Sequence, residues 1–392
     1  MKIAYIANSR FPSEKAQSDH VMAMCSWFAA LGHEVTLFVP DRKPVMADDP
    51  FEYYGKQKTF KFVRMPCLDT LQWLWLGPFA LWIQTATFVF NLRRYLKKFN
   101  PDVTYSREIY TFGFGRVPGM RVWESHAIPK SSWAAKIILS LDRVVTLTKA
   151  SAERLVKIGV PQDRVLVEPD AVEPTLFKNA PSRESAREKL GIRPEEFLCL
   201  YTGKYTTMGM SKGLDESIAA VNHLRAKGYQ IRVLAVGGTS EELERYKDKK
   251  CDGIELLGHQ PQDELKNYYA AADLLLMPFP WTEHYAYYMS PLKLFEYLMS
   301  GVPMVVTDLP SVREIVNEKQ AFIAKPGDVE SLKQEILRAQ QNAELAHLKA
   351  AAAKYLSERY TWQERARRIT EWLKKIDALH VSERSEKTTD LR

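Results

Sequence analysis

The chain has 392 residues, a length that suits two cores better than one. Hydrophobic residues at 46% and charged residues at 26% exclude a disordered chain, and four scattered cysteines, none in a Cys-x-x-Cys pair, argue against a disulfide framework or a structural zinc site. The net charge of +7 is uneven, with 23 Lys/Arg against 17 Asp/Glu in residues 1–176 and 32 against 31 after them, which reads either as solvated faces or as a first half turned towards something anionic, such as a membrane surface or a lipid phosphate.

The opening MKIAYIANS reads as a strand rather than a signal peptide, so the expectation is a cytoplasmic protein. Ile3–Ile6 is a short apolar run. Val21, Met24, Cys25, Phe28 and Leu31 then recur at helical spacing over Ser18–Leu31, Gly32 closes that helix, and Glu34–Val39 is the next strand. The pattern returns at Asp102–Tyr105, Arg121–Trp123 and Arg143–Leu147. After a Pro-, Ser- and charge-rich stretch at 180–193, read as a linker with a short helix, a second series predicts strands at Phe197–Tyr201, Ile231–Val236, Ile254–Leu257, Leu274–Met277 and Met304–Val306. Helices including Leu214–Ala226 and Asp263–Ala271 lie between them. Strands alternating with helices predict α/β architecture: two doubly wound parallel sheets covered on both faces, binding ligands beyond the C-terminal ends of their strands in the cleft between them. A long helical stretch, about Leu332–Ile376, follows, and the residues after Leu379 read as a frayed tail.

Residues 70–92 carry no charge; Trp73, Trp75 and Trp82 punctuate them, and Arg93, Arg94, Lys97 and Lys98 follow. Gly77-Pro78 breaks the run and the sheet resumes at Pro101, so a membrane-spanning helix is rejected. Two readings stand: a helical pair packed on the sheet, or a segment lying partly in a membrane interface.

Residues 290–303 (SPLKLFEYLMSGVP) carry the clearest chemistry. Ser290 is a good N-cap and Pro291 a good first helical residue; the helix runs through Leu292, Lys293 and Glu296 to Gly301, and Pro303 begins a strand. Backbone N–H groups exposed at such a helix start form an anion site suited to a diphosphate, with Glu296 placed to accept from ribose hydroxyls.

This stretch resembles the donor motif of the retaining, glycogen-synthase-like glycosyltransferases of family 4, which have the GT-B fold. The likeness extends to Gly203-Lys204 after FLCLYT and to Lys212-Gly213 before LDESIAAV, where the family's two basic side chains hold the donor diphosphate. GHEVTLFV, PDVTYSR, LDRVVTLTKASAERLVKIGVP, VEPDAVEPTLF and LLGHQPQDELKNYYAAADLLLMP fall in the family's order, so the resemblance runs to about residue 375. It implies two Rossmann-like domains facing a central cleft: an acceptor-side domain at 1–178, a donor domain at 190–355, a helix at 356–376 packing back on the first domain, and a disordered tail at 380–392. It also implies His126, in a Glu-x-His context, near the reacting centre with Lys204 and Lys212; donor contacts from Gly203, Tyr288, Ser290, Pro291, Leu292, Lys293 and Glu296; and acceptor contacts from Arg10, Ser13 and Lys15. The sequence departs from the family at Tyr288, where the motif's first acid stands, at Lys204, where an Arg is usual, and in the Arg10–Lys15 loop, which lacks the family's glycines.

The implied reaction is retaining transfer of a sugar from a nucleoside-diphosphate sugar to a glycan or lipid-linked acceptor, in cell-envelope or exopolysaccharide synthesis. No cofactor is expected beyond the nucleotide-sugar co-substrate, and the lack of any Asp-x-Asp sequence predicts no obligatory metal. Nucleic acid is not an expected partner; peripheral contact between the first domain and an anionic membrane is. The alternatives are a non-catalytic glycosyltransferase-like subunit, or a sugar-nucleotide epimerase or hydrolase on the same fold. A dehydrogenase is rejected because no Gly-x-Gly-x-x-Gly follows a predicted strand.

Overall fold

The computed structural model describes residues 1–13, 16–42, 49–207, 209–249 and 252–389. The chain forms two compact units, one of Met1–Glu168 with the helix that starts at Trp362, the other of Pro169–Thr361. The boundary thus falls at 168/169, earlier than the 178 read from the sequence, and VEPDAVEPTLF belongs to the second unit from Pro169 onwards.

In the first unit seven parallel strands, β1 (Lys2–Ile6), β2 (Glu34–Pro40), β3 (Lys61–Met65), β4 (Val103–Ser106), β5 (Met120–Ser125), β6 (Arg143–Thr146) and β7 (Val165–Val167), lie in the order β3-β2-β1-β4-β5-β6-β7. In the second, β8 (Phe197–Thr202) leads into a small antiparallel hairpin, β9 (Thr206–Thr207) and β10 (Met210–Ser211). The sheet is completed by β11 (Ile231–Gly238), β12 (Ile254–Gly258), β13 (Leu274–Met277), β14 (Met304–Thr307) and β15 (Phe322–Ala324), in the order β12-β11-β8-β13-β14-β15. All pairs within this six-stranded sheet are parallel.

Burial explains why the strands read as solid apolar runs. Along β8, Leu198 and Leu200 pack with Phe295 and Leu298 on one face, while Cys199 and Tyr201 pack with Leu214 and Val221 on the other. Both faces are covered by helices, so neither parity of the strand is left to be polar. Strand order reverses between β1 and β4 in the first sheet and between β8 and β13 in the second. At such switch points the flanking connections leave in opposite directions and open a crevice beyond the strand ends.

The uncharged segment resolves into two short 3-10 turns, Thr70–Gln72 and Leu74–Leu76, and one long helix, Phe79–Phe99. The stretch before Gly77-Pro78 is too short to recover the cost of helix nucleation, and Pro78 is tolerated because it sits ahead of the first turn. Phe88, Val89, Leu92 and Leu96 are buried, while Phe79 and Phe90 are exposed. Among the described residues no helix is long and apolar enough to cross a membrane.

The last helix runs Trp362–Thr389, through residues read from the sequence as a tail; no Gly or Pro interrupts it. Its first turns carry Arg365, wholly buried in the first unit, and Arg368, paired with Glu168 at 2.8 Å.

Candidate functional site

In the second unit the polar groups gather at the switch point. Strand β8 ends at Thr202, and Gly203 follows with φ +91°, its N–H donating to the Val236 carbonyl at 2.7 Å. That bend throws exposed Lys204 outwards and starts the hairpin, which Glu242 anchors by accepting from the Thr206 N–H at 2.8 Å and hydroxyl at 2.6 Å. The hairpin returns the chain to Lys212, whose N–H closes on the Tyr205 carbonyl at 2.9 Å. Gly213 then caps the Leu214–Ala226 helix with φ +88°; a Cβ there would lie 1.8 Å from the Pro278 carbonyl oxygen just beyond β13. Only glycine lets the backbone approach so closely, and this approach fixes where Lys212 points.

The helix expected to have Ser290 as its cap and Pro291 as its first residue begins one residue later. Pro291 is its N-cap in extended conformation (ψ 126°), and the helical residues are Leu292–Ser300. Ser290 does not cap it: its Oγ accepts from the Asp170 backbone N–H at 2.8 Å, so the hydroxyl ties down the segment after the unit boundary instead. Ser290 and Pro291 therefore shape the loop, and Leu292 opens the first turn. Tyr288 is half-buried at the end of a π-helical turn, His284–Tyr288. Glu296 accepts from the Tyr269 hydroxyl at 2.7 Å, and Tyr269, buried against that carboxylate, has its phenol pKa raised well above the ordinary value by burial first and Glu296 second.

Lys293 is the unexpected member. Its side chain is 9% exposed, with the ammonium 3.7 Å from the centroid of the Tyr201 ring and 5.5 Å from that of Phe279. It has no hydrogen-bond partner among the described residues. Burial, then the charge of Lys212, hold its pKa well below the lysine range, against a smaller opposing pull from Glu296. Lys212 is lowered too, by burial and by Lys204 against the pull of Glu242, and His284 by burial and Lys212. Lys212 thus stands near Lys204, Lys293 and His284 and repels them, with Glu242 and Glu296 as the opposing charges, a setting that favours an anion.

The first unit holds a separate polar centre. The buried Glu124 carboxylate lies 2.7 Å from both His20 Nε2 and His126 Nε2 and 3.1 Å from an Arg365 guanidinium nitrogen, and it accepts from the Tyr105 hydroxyl. Burial alone would raise its pKa; Arg365, His20 and the His126 hydrogen bond together hold it well below the carboxylate range. His126 is therefore a partly exposed residue clamped by a fully buried acid, a setting that Glu-x-His hints at but that Arg365, far away in sequence, completes.

Sequence reasoning missed a cavity of about 1080 Å³ at the switch point of the first sheet. Asn8 and Arg10 after β1 and Glu108 after β4 line its polar end, while Leu71, Leu81 and Trp82 line the other. Arg10 and Ser13 do belong to it. Ser13 is held by its backbone, its N–H donating to the Tyr54 hydroxyl at 2.8 Å; Lys15 lies outside the described residues.

Two doubly wound parallel-sheet units have the GT-B architecture, a fold shared with HepE of Anabaena, solved in complex with UDP-glucose (TM-score 0.72, 16% identity, 96% of this chain and 100% of that one). The chain is a glycosyltransferase of group 1/family 4 type: a model described as Glycosyltransferase Family 4 matches residues 17–176, and one described as Glycosyl transferases group 1 matches residues 196–342. Curated relatives include a D-inositol 3-phosphate glycosyltransferase of Streptomyces bingchenggensis, 26% identical over 59% of this chain and 52% of the relative. The amylovoran biosynthesis glycosyltransferase AmsK of Erwinia amylovora is 24% identical over 50% and 47%. The match spans about half the length of these relatives.

Proposed function

We propose that the chain is a retaining glycosyltransferase that moves a sugar from a nucleoside-diphosphate sugar to an acceptor hydroxyl in cell-envelope or exopolysaccharide synthesis. The observation that carries this reading is the unpartnered, enclosed Lys293 ammonium beside Lys212 at the end of β8. A diphosphate supplies the charge that this pocket lacks, and the likeness to HepE, which binds UDP-glucose, supports the same choice of ligand. The envelope destination rests on relatives such as AmsK.

As the anomeric C–O bond to the diphosphate breaks, negative charge grows on the leaving oxygens, and preorganised cations stabilise that state more than the ground state. Lys204, Lys212 and Lys293 take this part, with the first helical turn at Leu292, and the reading requires no metal. Glu296, oriented by Tyr269, accepts from ribose hydroxyls. The acceptor oxygen forms the new bond on the face the diphosphate leaves, and its proton passes to a departing phosphate oxygen, so the configuration is retained. His126, clamped by Glu124, is the first unit's candidate for a part in the reaction. Screening UDP-, GDP- and ADP-sugars by thermal shift, then measuring nucleotide release with and without acceptor, tests the proposal; no shift with any of them overturns it. Tyr288 in place of an acid favours a second reading, a binding subunit without turnover. Its signature is a nucleotide shift with no release under any acceptor.

Lys293 makes a distinctive prediction. An arriving diphosphate favours the charged amine, so the pKa rises on binding and the site takes up protons between the lowered value of the empty site and the raised value of the filled one. Affinity for a sugar nucleotide should fall as pH rises through that window. Calorimetry in two buffers of different ionisation enthalpy should show this uptake, and Lys293→Met should reduce it to what Lys212 and His284 contribute. Uptake unchanged in the variant would remove Lys293 from the pocket.

The first unit is also proposed to rest on an anionic membrane surface. Trp75, Phe79 and Phe90 are exposed, and Arg94 lies over the Phe90 ring at 4.3 Å, with Lys97 and Lys98 a turn further on. Co-sedimentation with phosphatidylglycerol vesicles should be strong at low salt, weak at high salt and reduced by Trp75→Ser with Phe79→Ser. Equal binding to neutral vesicles would count against the surface.

A further inference from the structure

A buried carboxylate stands at the base of the hairpin that carries Lys212. Glu242, the third residue of the short helix Ser240–Arg245, is 4% exposed. One of its oxygens accepts from the Thr239 backbone N–H at 2.9 Å and completes a capping box; the other accepts from both the N–H and the hydroxyl of Thr206. Thr206 is paired with Ser211 across the hairpin, so the carboxylate is one residue away from Lys212 across the two strands. Tyr205 holds the residue before them, its hydroxyl donating to the Ala235 and Leu257 carbonyls at 3.2 and 3.1 Å and its ring filling the space that a side chain on Gly238 would need. Capping and anchoring require only acceptor oxygens, whereas a full negative charge is costly to bury even with three donors around it. The charge has a use at Lys212. That lysine stands among Lys204, Lys293 and His284, and Glu242 is the acid that acts on it, as Glu296 acts on Lys293.

We infer that Glu242 is a positioning residue for the proposed transfer: its carboxylate fixes the hairpin that presents Lys212 and supplies the counter-charge of that ammonium until a diphosphate takes over the part. That role rests on the reading of this pocket as a nucleoside-diphosphate site. Burial lowers the Lys212 pKa, Glu242 opposes that by raising it, and Lys204 adds to the lowering. Without the Glu242 charge, Lys212 loses its proton at a lower pH. Diphosphate affinity, which needs that proton, then begins to fall at a lower pH too. In mild acid Lys212 is charged with or without Glu242.

UDP, GDP and ADP serve as probes on the full chain, and whichever gives the largest thermal shift is followed by calorimetry from mild acid to the lysine range. Glu242→Gln should bind it within about threefold of the parent in mild acid and about tenfold or more weakly at alkaline pH, the onset of the decline moving down by about one pH unit. Thr206→Val takes one hydrogen bond from the same carboxylate but no charge, so it should weaken binding by one factor at every pH and leave the onset in place. Glu242→Asp keeps the charge one methylene further back; its onset should fall between the two, and it carries the test if the Gln protein does not fold. Lys293 and His284 titrate in all four proteins, so differences in onset report Lys212. A Glu242→Gln curve parallel to the parent's, lowered or coincident, would leave Glu242 as a scaffold anchor only and overturn the inference. A Thr206→Val onset displaced as far as that of Glu242→Gln would overturn it as well, because hydrogen bonding without charge would then suffice. Both results leave the nucleotide pocket standing, whereas a parent protein that binds none of the three diphosphates removes the pocket and this role together.

Discussion

Lys212→Ala protein is expected to bind sugar nucleotides about a hundredfold more weakly and to release nucleotide at about a hundredth of the normal rate or less, the scale seen when a preorganised donor to a developing oxyanion is removed. The expectation follows from how little freedom the residue has. Its N–H is held by Tyr205 at 2.9 Å, the next residue is pinned against the Pro278 carbonyl, and its ammonium already depresses Lys293 and His284. Removing it from the empty protein relieves repulsion, so the free protein should melt no lower than the parent while losing its nucleotide-induced shift. That split separates a binding role from a structural one. Glu296→Ala should weaken binding less, because it removes the proposed ribose contact and leaves the cations in place. A Lys212→Ala protein that still shifts fully with a sugar nucleotide would contradict the assigned pocket.

The second large effect concerns the first unit. Arg365→Met leaves the Glu124 carboxylate buried with its strongest counter-charge gone, at a cost of about 3–5 kcal/mol. At about 2–4 °C per kcal/mol for a unit of this size, the melting temperature should fall by roughly 10 °C. Adding Glu124→Gln should recover part of that loss, because the charge to be compensated is gone. The pH sign follows from the same cluster. A carboxyl whose folded pKa is depressed contributes its stability above the unfolded value and loses it only as pH falls through the folded one. Wild-type protein should therefore keep this contribution through mild acid and lose it only in strong acid. Chemical denaturation across pH, for the single and double variants, checks both statements; an Arg365→Met protein as stable as the parent would refute them.

Elements buried on both sides were legible in the sequence. Leu274–Met277 and Leu214–Ala226 were placed to the residue, because continuous apolar runs and clear helical spacing admit few alternatives. Of the four edge strands only β12 was, as Ile254–Leu257; β3, β7 and β15 were not. In β3 (KFVRM) Lys61 and Arg64 break the apolar run at the sheet margin, and β15 is only three residues long, too short to show a period. The donor motif was legible as chemistry but not as local geometry: Ser290 looks like a cap because nothing nearby in sequence discloses that the Asp170 N–H occupies its hydroxyl. The cavity was the least visible feature. Asn8, Arg42 and Glu108 are unremarkable polar residues in three separate loops, and only the strand order brings them together. The same holds for Glu124 and Arg365, whose pairing depends on the last helix returning to the first unit.

That each unit keeps its polar residues beyond its own switch point has an evolutionary consequence. The loops after β1 and β4 belong to a different sheet from those after β8 and β13. Variation in one set can retune what is recognised there without disturbing the scaffold of the other. With the first unit on the acceptor side, as the family resemblance implies, a lineage could exchange acceptors by drift in a few first-unit loop residues while inheriting its nucleotide pocket unchanged, so descent read from 290–303 and specificity read from the first unit need not tell the same history.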